Sequence, residues 1–121
     1  MARAMMFDSD DVASLRDIFT STIETAHSVY GELLFRPFDT TVNDWKPKPQ
    51  RAYYDSVMVS FSTLLDSKNL LISEKANIIE ATKTLFRESP EGTFTGRGNT
   101  KGDIQRRINL FSEMLKQFTQ V

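Results

Sequence analysis

Arg51-Ala-Tyr-Tyr-Asp-Ser-Val-Met-Val-Ser-Phe-Ser-Thr-Leu-Leu65 is the most apolar run of the 121-residue chain. Within it Ala52, Tyr53, Tyr54, Val57, Met58, Phe61, Leu64 and Leu65 recur at steps of three and four, the spacing of an α-helix. They cover more than the roughly 100° stripe of an ordinary surface helix. So wide an apolar arc needs neighbours on several sides, so this segment is expected to be the central helix of a helical domain. Pro49 suits a first helical position, and Lys46-Pro47-Lys48 blocks an earlier start, which gives a helix over about 49–66.

Upstream, Asp8-Ser9-Asp10-Asp11 offers side-chain oxygens to the free N–H groups of a first turn and acids to the positive end of its dipole. Val12, Leu15, Phe19, Ile23, Ala26 and Val29/Tyr30 then fall on one face, and Gly31 suits a left-handed stop. The spacing predicts a helix over about 10–30, with residues 1–8 as a frayed start. Leu33 to Phe38 is apolar but contains Pro37, and a lone strand there would lack a partner. It is expected to lie extended over the core, followed by a polar loop to Lys48 that holds the only tryptophan, Trp45.

Downstream, Leu70-Leu71-Ile72 leads into Ser73, a candidate N-cap with Ile72 placed as a hydrophobic staple. Ala76, Ile79, Thr82 or Lys83, and Phe86 continue at helix spacing, with Ile78 and Leu85 widening the face, which predicts a helix over 74–88 that stops before Ser89-Pro90. Four of the five glycines, Gly92, Gly96, Gly98 and Gly102, follow in one stretch. Thr100 and Asp103 form a capping box with Asp in place of Glu, ahead of a helix over 103–118 whose apolar face is Ile104, Ile108, Phe111, Leu115 and Phe118. The fold class read from these segments is all-α, a single domain over 1–121. It is a compact bundle of four main helices (10–30, 49–66, 74–88 and 103–118) with an extended segment and loop at 32–48.

The chain length fits one domain, and 40% hydrophobic with 26% charged residues is ordinary for a globular protein. The absence of cysteine removes disulfides, thiol chemistry and cysteine zinc sites, and is compatible with the cytoplasm. No apolar run approaches the ~20 residues that span a bilayer. Net charge is −1, which gives no overall pull toward nucleic acid. The charge is uneven, however: the first 60 residues carry six Lys/Arg against nine Asp/Glu, and the remainder nine against seven. The basic excess gathers at Arg97, Lys101, Arg106 and Arg107.

Thr95-Gly96-Arg97-Gly98-Asn99-Thr100-Lys101-Gly102 is the sharpest candidate site. Glycines let backbone N–H groups turn toward a ligand, the helix start adds free donors, and Arg97 and Lys101 add charge, a combination suited to phosphate. The Walker pattern is not matched, and the same residues also read as a solvated loop closed by a helix cap. One of Arg106 and Arg107 can extend the basic patch while the other lies across the bundle against an acid. His27 is the only histidine, so metal ligation has no second imidazole or thiolate, and no metal or cofactor is expected. Trp45, Tyr53 and Tyr54 can stack on bases, yet aromatics at helix spacing more often form core. Asp55 interrupts the apolar run. It suits a structural role holding a loop or an arginine such as Arg107, and it is also the best candidate for a hydrolase built from dispersed carboxylates.

Phe35-Arg36, Arg51-Ala-Tyr-Tyr-Asp55, and Thr95-Gly-Arg97 with Ile104-Gln-Arg-Arg107-Ile108 resemble the helical C-terminal part of the ParB/sulfiredoxin-like nuclease domain of GmrSD-type, modification-dependent restriction proteins. The resemblance spans about residues 14–118 and rests on short motifs. It implies a helical module of a restriction or phage-defence system with a nuclease-like protein partner, and Arg36, Asp55 and Arg107 as structural or interface residues. The family's Asp-Gly-x-Gln-Arg-type motif and its His-Asn-His nuclease part do not occur here, which argues against autonomous catalysis. Two functions follow as expectations. One is a non-catalytic helical module that works through a partner chain or is a fragment of one. The other is a small nucleic-acid- or nucleotide-binding protein that uses Arg97, Lys101, Arg106 and Arg107, with DNA as a possible ligand and no membrane contact.

Overall fold

A computed structural model gives the fold, and it describes residues 9–90, 92–94 and 100–119, with side chains from residue 14 onward. Among these residues there are five α-helices, α1 (Ser9–Tyr30), α2 (Arg51–Thr63), α3 (Lys68–Ser73), α4 (Lys75–Glu88) and α5 (Lys101–Lys116), and one two-stranded ladder, β1 (Phe38–Asp39) and β2 (Asp44–Trp45). The four long helices match the expected bundle, and α3 is an added short helix.

α2 is the central element. It packs against α5 along most of its length and against α1 on another side. Tyr53, Ser56, Val57, Ser60 and Phe61 are all buried. Serine on the α5 side lets the two backbones come close: the Ser60 hydroxyl meets that of Ser112 at 2.7 Å. A ring cluster fills the space between the helices. The Tyr53 ring stands edge-on to Phe86, Phe94 and Phe111 at 5.3, 6.2 and 5.7 Å, and Tyr30 stands edge-on to Phe61 at 6.1 Å. Edge-to-face pairs of this kind add roughly 0.5–1.5 kcal/mol beyond their burial.

A polar thread through this core joins α1 to α4. Thr82 donates its only hydroxyl proton to the Ile78 carbonyl at 2.7 Å, so Tyr30 must be the donor in its 2.8 Å bond to Thr82. Burial pushes the hydroxyls of Tyr30 and Tyr53 above the ordinary tyrosine value, and both are neutral at physiological pH.

Several boundaries differ from expectation for local reasons. The 32–48 segment folds back on itself instead of lying singly extended, pairing Phe38 with Trp45 and Asp39 with Asp44. Asn43, in the left-handed region at φ 55°, makes the turn. Arg87 secures this hairpin to α4, lying over the Phe38 ring at 5.2 Å and donating to the Asn43 side chain at 2.9 Å. α2 starts at Arg51 and not at Pro49, because the Gln50 N–H is held by the Phe35 carbonyl and keeps that residue extended. It ends at Thr63, where the Ser62 and Thr63 hydroxyls donate back to the carbonyls of Val59 and Ser60 and the chain tightens into a 3-10 turn over Leu65–Ser67.

Ser73 is not an N-cap. It closes α3 and donates to the Leu70 carbonyl, while Glu74 precedes α4. Leu70 to Ile72 are helical because Leu71 reaches the core from there. Along α4 the buried positions are Ile78 and Thr82, whereas Ala76 is exposed. Two stop signals act as expected. Gly31 is left-handed at φ 58° after α1, and α4 ends before Ser89-Pro90. α5 starts two residues earlier than predicted, on the Thr100–Asp103 capping box, and ends at Lys116.

Candidate functional site

The expected anion site lies at the start of α5. Thr95 to Asn99, with Arg97, fall outside the described residues. What is described on either side is firmly held. Phe94 is buried against Tyr53 and Phe86, and Thr100 forms the cap. The Thr100 hydroxyl accepts from the Asp103 N–H at 3.1 Å and donates to the Asp103 carboxylate at 2.7 Å, and the Thr100 N–H donates to the same carboxylate at 3.2 Å. These bonds, the Thr100 hydroxyl first, hold the Asp103 carboxyl below the usual carboxylate range, with smaller help from the charges of Arg106 and Arg107. The helix N-terminus therefore already has an anion of its own. A phosphate arriving there must overcome the charge of Asp103.

The basic residues divide. Lys101 and Arg106 are exposed, while Arg107 is 3% exposed and belongs to the core. One side of the expected cluster is thus a surface patch and the other an internal charge. Asp55 lies exposed on α2, and the ion pairs among the described residues, Glu80–Lys83 and Glu113–Lys116, do not include it. Arg36 donates from Nε to the Lys46 carbonyl at 2.6 Å and from Nη1 to the Glu32 carbonyl at 3.4 Å, which ties the base of the hairpin to the 3-10 turn Gly31–Leu33 that follows α1. His27 is exposed on α1, and no group of three or more His, Cys, Asp or Glu that could hold a metal occurs among the described residues. No helix of the described residues is long and apolar enough to cross a membrane.

The most distinctive surface lies elsewhere, on the N-terminal half of α1. Every residue from Ser14 to Thr20 is exposed. Leu15, Ile18 and Phe19 are 53, 48 and 46% exposed. At 100° per residue they fall on the same side of the helix as Thr22, Ala26 and Val29, all buried in the core. One apolar stripe therefore runs from the core into the exposed N-terminal part of α1. The periodicity puts Leu15 and Phe19 with Ala26 and Val29 on a single face, but it carries no information on how far along that face the burial extends. The shared face is a local property of the helix, whereas the reach of its neighbours is set by the rest of the chain.

A second surface, a groove of about 390 Å³, runs between α4 and α5. Its floor is Ala81, Leu85, Leu110 and Met114, and Glu88 and Glu113 stand beside it. It was not singled out in the sequence, because it depends on which two helices lie side by side.

No family model, curated protein or solved structure matches this chain.

Proposed function

We propose that the chain is a non-catalytic helical module that works by docking another polypeptide through the N-terminal half of α1. The carrying observation is the exposed stripe Leu15, Ile18 and Phe19, which continues the buried face of the same helix. Apolar side chains aligned on one face of a helix, with its backbone bonds already made, gain roughly 25 cal/mol for each Å² they remove from water. The resemblance to GmrSD-type restriction proteins favours a partner with a nuclease-like domain, and a role in restriction or phage defence. Nucleic-acid binding through Lys101 and Arg106 is the weaker reading, because the Asp103 carboxylate sits at the same helix end.

Capture of the tagged chain from its source cells, with the co-purifying proteins identified, tests this. A nuclease-like chain should be recovered with the wild type and lost with Phe19→Glu. Its equal recovery with Phe19→Glu would overturn the assignment of the stripe. Recovery of nucleic acid alone, released by salt and by Lys101→Ala with Arg106→Ala, would favour the weaker reading.

A further inference from the structure

The β1/β2 hairpin packs beside the bundle core without joining it. Pro37 and Phe38 are buried, yet neither Phe38 nor Trp45 belongs to the cluster of side chains that fills the bundle. Phe38 instead has the Trp45 ring edge-on at 5.2 Å and the Arg87 guanidinium 5.2 Å from its centroid. Such a group is a satellite of the core, with its own contacts to lose. The main cluster reaches the chain again at Phe35. The Phe35 ring lies 4.6 Å from that of Tyr54 on α2, and its carbonyl accepts from the Gln50 N–H at 3.1 Å. Its backbone is left-handed at φ 64°, an unfavourable place for an aromatic residue. The hairpin thus leaves the core through one strained, anchored residue.

The closed hairpin has weak holds. The ladder has two residues in each strand, and a two-stranded ribbon is marginal in water unless it packs on something. Its second pair sets Asp39 directly opposite Asp44, and like charges so placed weaken a ladder. The charge of Lys46 favours the Asp39 carboxylate, but no ion pair among the described residues includes either acid. The hairpin packs on α4, where Arg87 lies over Phe38 and donates to the Asn43 side chain at 2.9 Å. Both partners are neutral and Arg87 is exposed, so this link is a modest one.

We infer that residues 37–49 form a strap that opens as one unit while the helices stay folded, with Phe35 as its hinge and Arg87 as its latch. Off α4 the ribbon does not keep its own ladder, so opening also frees the Lys46 N–H, which the closed strap bonds to the Pro37 carbonyl at 2.8 Å. The open strap bares the Phe38 ring and releases the Arg87 guanidinium together.

Amide exchange of the whole chain tests it, with Lys46 reporting the strap and Val57, in the middle of α2, reporting the bundle. Lys46 should be protected at least a hundredfold less than Val57, and low denaturant should lower the protection of Val57 but barely that of Lys46, since little surface opens with the strap. Phe111→Leu loosens the main core alone. It should lower Val57 protection at least fivefold and leave Lys46 unchanged. Arg87→Ala should lower Lys46 protection at least fivefold, although the contacts of Arg87 are with Phe38 and Asn43. Asp44→Asn keeps an acceptor for the Trp45 N–H but removes the facing charge, and should raise Lys46 protection. If Phe111→Leu lowers Lys46 and Val57 by the same factor, the hairpin opens only with the bundle and the strap does not exist. If Arg87→Ala leaves Lys46 unchanged, the hairpin frays residue by residue and has no latch.

Discussion

α1 carries one apolar stripe, yet its two halves end in opposite surroundings. Thr22, Thr25, Ala26, Val29 and Tyr30 are buried, while Leu15, Ile18 and Phe19 stand in solvent. Burying a Leu, Ile or Phe side chain is worth roughly 1.5–3 kcal/mol. The C-terminal half draws on that gain within the chain. In the N-terminal half the same gain is still available to a docking event. Thr22 marks the crossover: its hydroxyl donates to the Ile18 carbonyl, so the first buried position needs no polar partner from the bundle. A helix thus presents a continuous face whether or not the domain is long enough to cover it.

The sharpest way to separate the two regions is to truncate one ring in each. Phe111 is fully buried among Tyr30, Tyr53 and Phe61. Phe111→Ala should cost about 3–5 kcal/mol in denaturant unfolding, because a cavity replaces those contacts. Phe19→Ala should stay within about 0.5 kcal/mol, since solvent already reaches the ring. A comparable loss for Phe19→Ala would mean the stripe is covered within the single chain.

Next in size is the cap of α5. Thr100→Ala should cost about 1 kcal/mol. The folded Asp103 carboxyl lies below its unfolded value, so its contribution is complete above the unfolded carboxylate range and is lost as pH falls through the folded one. The gap between wild type and Thr100→Ala should therefore shrink below about pH 4. A gap that does not change with pH would leave Asp103 out of the cap.

The smallest contrast lies inside the core. Ser60 is hydrogen-bonded to Ser112, whereas the equally buried Ser56 hydroxyl has no hydrogen-bond partner among the described residues. Ser60→Ala should cost about 1 kcal/mol, and Ser56→Ala should be neutral or slightly stabilising, because it removes an unpaired buried group. Equal costs would mean that size alone matters at the α2–α5 contact.

The bundle was legible in the sequence wherever a local rule acted alone. The three- and four-residue recurrence of Tyr53, Val57 and Phe61 placed the central helix, Gly31 ended the first one, and Thr100 with Asp103 opened the last. It was not legible where two distant segments had to meet. Phe38 gains a strand partner only because Asn43 turns the chain back and Arg87, 44 residues on, holds the turn. Arg106 and Arg107 are adjacent in sequence yet one is exposed and one buried, which depends on where α2 lies against α5. The candidate surfaces follow the same division. The apolar residues of the stripe were visible, but their exposure and the α4/α5 groove depend on how the helices are assembled.

Amide hydrogen exchange along α1, measured on the whole chain at a concentration low enough to keep it monomeric, tests the central claim most directly. Amides of residues 22–30 should open only with global unfolding, and those of 14–20 should exchange far faster and slow down as a partner covers them. Uniform protection along the helix at that low concentration would contradict the account, since the N-terminal half would then already be packed within a single chain.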